Sequence, residues 1–238
     1  MSKVIIDKNF WELFPEGQIN VLQVKNLKNE YTNEEQKAQL KTLLNQSAVK
    51  AVNFVPDEPI SENDVVKQWR QAFSKFKSKK GARSSIEALL KRAQQGREFS
   101  SISPLVDIYN SISLTYAVPC GGEDMHKIEG DVHLGMAQGG EAFFPLGAEK
   151  DAPALEGEII YYDEAGAICR SLNWREAQRT MLTEETTDAV FFIEAVNEEQ
   201  IDRSNEAIKA LKDLLDSNFG TQATITQLTS DHSELDLG

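Results

Sequence analysis

The sequence predicts a single α+β domain, and three observations carry that prediction. Helical periodicity prevails up to about residue 114, and short strand-like segments set off by glycines follow from Ile128. One more long helical segment opens at Asn197. At 238 residues the chain is long enough to enclose a full hydrophobic core. Its 40% hydrophobic and 26% charged residues are ordinary for a globular protein, and no apolar run approaches the roughly 20 residues a membrane span requires.

Residues 3–6 (KVII) read as a strand, FWELFPEG as a turn, and INVLQVKNL from Ile19 alternates as a second strand. Thr32 stands where it can cap a helix reading NEEQKAQLKTLLNQSAVKAV, with acids in its first turn and Leu40, Leu43 and Leu44 on its apolar side. Pro56 and Pro59 mark a loop. Between Ser61 and Phe76 the residues Val65, Trp69, Phe73 and Phe76 recur at helical intervals and form a core-facing stripe. Ser84 and Glu87 resemble a helix start, with an end near Gly96. Pro104, a favoured first helical residue, opens the next helix, which Pro119 and Gly121-Gly122 bring to a close.

The second half changes texture. VHLGMA, EAFFPL, GEIIYYD and AICRSL read as strands, with Gly139-Gly140 and Ala165-Gly166 as hairpin signals. TTDAVFFIEAV is a further strand, dense in β-branched and aromatic residues. Asn197 caps the last helix, with Ile201, Ile208, Leu211 and Leu215 on one side and Gly220 past its end. TQATITQL is a candidate edge strand. One domain is therefore expected over residues 1–228, with residues 229–238 as a flexible acidic tail.

A net charge of −13 argues against indiscriminate nucleic-acid binding, but the charge is unevenly spread. Ten basic residues lie between Lys67 and Arg97, with Glu87 as the single acid among them. Lys75, Lys77, Lys79, Lys80, Arg83, Lys91 and Arg92 of this stretch are candidates for one positive face turned to a polyanion; a solvated helix surface is the plainer reading. The N-terminus has no signal-peptide pattern, which leaves the cytoplasm as the expected location. Cys120 and Cys169 lie too far apart for a paired metal motif, so no metal or cofactor is expected.

Common enzyme signatures are absent, including phosphate-binding loops, dinucleotide fingerprints, metalloprotease helices and nucleophile elbows. What remains are polar residues in apolar settings. Asp107 and Asn110 stand three apart in SPLVDIYNSISL, on one side of a helical turn. Glu194 interrupts the apolar run AVFFIEAV, where an unpaired carboxylate would be costly, and alternation puts it on the side of Val190 and Phe192. His126 follows the glycine turn. The segment NWREAQRT offers Asn173, Trp174 and Arg175 for packing, for stacking on a base or for holding a phosphate.

SPLVDIYNSISL, together with GEIIYYDEAGAI and LTEETTDAVFFIEA, is similar to segments of the editing module in the beta subunit of phenylalanyl-tRNA synthetase, formed by its third and fourth B domains. The similarity covers about residues 84–200, with residues 1–83 as an N-terminal extension. The resemblance implies a β-sandwich of unusual topology flanked by helices, with a pocket between its halves that removes wrongly attached tyrosine from tRNA. Tyr109 and Asn110 match a Thr-Asn pair lining that pocket, and Glu194 matches a glutamate resembling a reader of the tyrosine hydroxyl. Gly121 stands where the synthetase has a histidine, leaving His126 to reach the pocket only from another position.

Two functions follow. One is an editing-like protein that binds aminoacyl-tRNA and hydrolyses a mischarged ester in trans. The other is a non-catalytic module that binds RNA, an amino acid or another small molecule.

Overall fold

The structure, a computed structural model, describes residues 2–238. In chain order the elements are β1 (Lys3–Ile6), α1 (Lys8–Leu13), β2 (Gln18–Val24), α2 (Glu34–Ala51), α3 (Asp64–Phe73), α4 (Ser85–Gln94) and α5 (Pro104–Tyr116). Then come β3 (Gly121–Asp124), β4 (Val132–Met136), β5 (Ile159–Asp163), β6 (Gly166–Arg170), β7 (Arg175–Glu176), β8 (Ala189–Ala195), α6 (Glu198–Phe219), β9 (Thr224–Leu228) and β10 (Glu234–Asp236). They build an α+β fold with two sheets. A six-stranded mixed sheet runs β10-β1-β4-β5-β6-β7, and a four-stranded antiparallel sheet runs β3-β8-β2-β9.

The sheets share one core, in which Val4, Val132, Leu134, Ile159 and Tyr161 of the larger meet Ile19, Val21, Val190 and Phe192 of the smaller. On its other face the smaller sheet packs Leu22, Phe191 and Ile193 against Leu40 of α2, Ile108 and Ile112 of α5, and Ile208 and Leu211 of α6. All of β8 is therefore buried, which explains why it reads as a nearly continuous apolar run. No helix among the described residues is long and apolar enough to cross a membrane.

Local chemistry sets the ends of the elements. Ser103 caps α5 by accepting from Val106 N, and Asn197 caps α6 by accepting from Gln200 N. The cap of α2 is Asn33, not Thr32: the Asn33 side chain accepts from Gln36 N at 2.8 Å, while the Gln36 side chain reaches back to Thr32 N. FWELFPEG contributes to α1 instead of forming only a turn, because Phe10 and Phe14 are buried one helical turn apart.

Two further expectations are corrected. EAFFPL is not a strand, and Gly139-Gly140 does not close a hairpin. Residues 137–158 form an irregular connection in which carboxylates take some of the amides and scattered main-chain bonds the others: Glu141 accepts from Gln138 N and Gly139 N, Asp151 accepts from Phe143 N, and Ala152 N and Ala154 N donate to Phe143 O and Glu141 O. The acidic segment 229–238 is not a loose tail. It turns at Thr229–His232 and lays β10 antiparallel to β1, with Leu237 buried in the core and Lys3 Nζ 3.0 Å from Glu234. Leu235 and Leu237 alternate with acids, the half-buried pattern an open sheet edge can accept.

Candidate functional site

A cavity of about 370 Å³ lies where the two sheets meet the first turns of α4 and the middle of α5. Leu89, Leu172, Trp174 and Phe192 give it apolar walls, and Glu123, Glu176 and Glu194 bring three carboxyl groups to it. Its size and mixed lining suit a small organic group held by a few polar contacts.

Glu194 sits near the end of β8, 2% exposed. Its Oε1 accepts from the Tyr161 hydroxyl at 2.8 Å, and its Oε2 accepts from Asn173 Nδ2 at 3.1 Å. Burial raises its pKa, and these two donors work against that rise. The carboxylate expected to read a ligand hydroxyl thus already holds a phenol of the protein itself.

Asn173 is delivered by a kink. Ser171 and Leu172 both adopt left-handed backbone, with φ of 47° and 63°. Arg170 grips the fully buried Glu158 through Nε and Nη2, and Ser171 Oγ donates to the same carboxylate. That buried ion pair fixes the start of the kink, and Ser85 N donating to Asn173 O fastens its end to α4.

Glu176 comes from β7 and lies beside Gly121. A Cβ at Gly121 would stand 3.3 Å from Glu176 Oε1, so the space a side chain would take at this position is next to a carboxylate. Burial pushes Glu176 up to about 7, offset in part by the Gly122 amide. Burial and then the nearby Glu176 hold Glu123 well above the usual carboxylate range. Two acceptors that line the cavity, or belong to residues lining it, have no hydrogen-bond partner among the described residues: Glu123 Oε2 and Asn173 Oδ1.

Cys120 and Cys169 also line the cavity, and burial pushes both thiols up, away from the reactive thiolate. Among the described residues no group of three or more His, Cys, Asp or Glu is placed to hold a metal ion.

Of the residues expected here, Tyr109, Asn110, Gly121, Asn173, Trp174, Arg175 and Glu194 line the cavity. Asp107 and His126 do not. Asp107 turns back over the start of α5, accepting from Ile102 N at 3.0 Å and from the Tyr31 hydroxyl at 2.7 Å. A carboxylate in the first turn is drawn to the free amides there, so three-residue spacing does not bring it to the face of Asn110. His126 lies outside, 64% exposed, with Nε2 3.2 Å from Asp188.

Sequence reading missed Glu123, Glu176 and Tyr161. Glu123 reads as a turn residue beside Gly121-Gly122, but that turn is itself a strand paired with β8. Glu176 reads as part of a polar loop.

The basic stretch is divided in its roles. Lys75 Nζ stands over the Phe14 ring and donates to Leu13 O, and the Arg92 guanidinium stands over the Phe99 ring. Arg83 binds Glu87. Lys77, Lys79, Lys80 and Lys91 are exposed.

A family model described as B3/4 domain matches residues 68–218. Among solved structures, an N-terminal fragment of the phenylalanyl-tRNA synthetase beta-subunit from Pyrococcus horikoshii aligns with a TM-score of 0.50 at 12% identity. The alignment covers 94% of this chain and 53% of that one. The likeness is one of fold, and this chain spans about half the length of that fragment. No curated protein matches the chain.

Proposed function

Because the chain belongs to the B3/4 domain family, we propose that its cavity receives the aminoacyl group of an aminoacyl-tRNA and hydrolyses the ester in trans. One observation carries the reading: a buried amide oxygen with no partner among the described residues, Asn173 Oδ1, belongs to a cavity that three carboxyl groups also line. Leaving buried acceptors unpaired costs about 1–3 kcal/mol each, and an α-ammonium group is the donor-rich ligand that would relieve that cost. Leu89, Leu172 and Phe192 offer surface for an amino-acid side chain.

The chemistry asks for little beyond placement. Glu176, pushed up to about 7, is matched to general-base work near neutral pH. It takes a proton from water as the water oxygen bonds to the ester carbonyl carbon. It returns a proton to the ribose oxygen as the carbon–oxygen ester bond breaks, leaving a free amino acid and an uncharged tRNA end. Glu194 acts by positioning: with Tyr161 it holds Asn173 towards the cavity. Exposed Lys77, Lys79, Lys80 and Lys91 would meet the RNA backbone. No metal or cofactor enters the scheme.

The absence of a histidine or a thiolate from the cavity residues favours a second reading, in which the site binds without hydrolysing. Deacylation of a panel of mischarged tRNAs, run beside binding of non-hydrolysable 3′-aminoacylamide RNAs, decides between them. Cleavage above the buffer rate that falls at least about 100-fold in Glu176→Gln is the expected result. Binding without cleavage supports the second reading, and neither binding nor cleavage overturns both.

A further inference from the structure

Behind the first turn of α4, on the side away from the cavity, lies a separate cleft of about 350 Å³. We propose that this cleft is a phosphate-binding subsite. Trp69 and Phe73 of α3 are among its lining residues, and Arg70, Arg83, Ser84 and Glu87 supply its polar groups.

Two cations meet one anion here. Arg70 donates through Nε and Nη2 to Glu87 at 3.1 and 2.7 Å, and Arg83 donates through Nη1 to the same carboxylate at 3.0 Å. Glu87 is 1% exposed, whereas the two arginine side chains are nearly half exposed. The carboxylate therefore anchors both guanidinium groups from beneath; Arg70, Arg83 and Glu87 together carry one net positive charge, with the exposed Glu62 near enough to act on Arg70. Arg70 Nη1 and Arg83 Nη2 make no hydrogen bond among the described residues and remain available. Pre-organised guanidinium forks suit phosphate oxygens, which accept several parallel N–H bonds.

Ser84 is the independent sign of a ligand. It stands at the N-cap of α4, a helix of 10 residues, yet its side chain makes no capping bond. Ser84 is among the residues lining the cleft, it is 1% exposed, and its buried Oγ has no partner among the described residues. A hydroxyl at a helix start normally turns to the free amides. Sharing the cleft lining with Arg70 and Arg83 and spending no bond on its own helix, it can join them as a donor to an anion. The exposed Lys77, Lys79 and Lys80 lie on the connection between the cleft's two lining segments and add to the positive field there.

The placement connects this cleft to the cavity. Ser84 and Glu87 line one, and Ser85, Ala88 and Leu89 line the other, so a single helix about 10–12 Å across divides them. That separation suits a ligand carrying an acyl group at one end and a phosphate at the other. Assigning the phosphate to a nucleic acid rests on the reading proposed above; the phosphate site itself does not.

The test uses the full chain with two probes. Inorganic phosphate is titrated while the Arg70 and Arg83 side-chain signals are followed by NMR, and a 3′-aminoacylamide RNA is measured by retention. Ser84→Ala and Arg83→Gln should each weaken phosphate binding by about tenfold, the loss of one charge-assisted bond, while Ser84→Ala leaves the melting temperature unchanged or raised. An equal loss in the RNA arm assigns the site to a nucleic-acid phosphate. Loss in the phosphate arm alone assigns it to a free phosphate. No response to phosphate at millimolar concentration, or equal affinity in wild type and Ser84→Ala, overturns the proposal. Neither probe requires ester cleavage, so this failure is distinct from failure of the hydrolytic reading.

Discussion

The Tyr161 hydroxyl donates to Glu194 Oε1 at 2.8 Å, and with that bond β5 of the six-stranded sheet is tied to β8 of the four-stranded sheet. Their neighbours reinforce the link, since the Tyr161 and Phe192 rings lie 4.8 Å apart. Replacing Tyr161 by Phe should therefore cost about 1–3 kcal/mol, because the buried carboxylate keeps only Asn173 as a side-chain donor. Urea unfolding at pH 7 measures the loss. The double variant Tyr161→Phe, Glu194→Gln should be less damaged than the sum of the single changes, and strict additivity would show that the bond carries no coupling.

Glu176 should make stability depend on pH. Its folded pKa of about 7 exceeds the ordinary 4.5, so the folded state holds the proton more tightly. That contribution is fully present below about pH 4.5 and is lost as pH rises through about 7. Glu176→Gln removes the titration, so the variant should gain about 1–3 kcal/mol on wild type at pH 9 and little at pH 4. Thermal melts across that range would show the two curves converging on the acid side. Parallel curves would mean that Glu176 is not the titrating group.

Adjacent glycines should respond differently to one methyl group. At Gly122 a Cβ would stand 2.5 Å from Phe191 Cε1, against a fully buried ring, so Gly122→Ala should destabilise by about 1–3 kcal/mol. At Gly121 the nearest atom is Glu176 Oε1 at 3.3 Å, the end of a side chain that can shift. Gly121→Ala should leave the melting temperature within a few degrees and lower deacylation by displacing the proposed base. Equal destabilisation of the two variants would contradict this packing.

Charge reversal of Lys77, Lys79 and Lys80 should weaken RNA retention at low salt. It should also flatten the plot of log affinity against log salt by about 0.7 per lost phosphate contact. The same change at Lys75 or Arg92 would act mainly on stability, since both are engaged with aromatic rings of the fold. An unaltered salt slope in the triple variant would mark the stretch as a solvated surface.

Much of the fold was legible because local rules and burial agree. The Pro104 start of α5, the cap at Asn197, the Gly220 terminus and the apolar β8 all follow from residue type and period. Where side chains compete for backbone amides, the pattern misleads. Glu141 and Asp151 interrupt main-chain pairing in and beside the segment read as a strand, and Asp107 turns to its own helix start. Half of the site was visible for a related reason: Glu194 is conspicuous in an apolar run, while Glu123 and Glu176 lie among other polar residues and become unusual only once folded. Tyr161 gives no warning at all, since an aromatic residue on a strand is expected.

The edge pairing of β10 with β1 also bears on the order in which the molecule can form. Lys3 faces Asp236 and Val4 faces Leu235, so β1 and β10 are neighbours although nearly the whole described chain separates them in sequence. While the chain is still on the ribosome, β1 can pair with β4 but must wait for its outer partner. Contacts this distant in sequence are slow to close, and an unpaired edge is open to other chains in the meantime. Refolding in vitro, where both strands are present from the start, should therefore aggregate less than synthesis stalled just before residue 234.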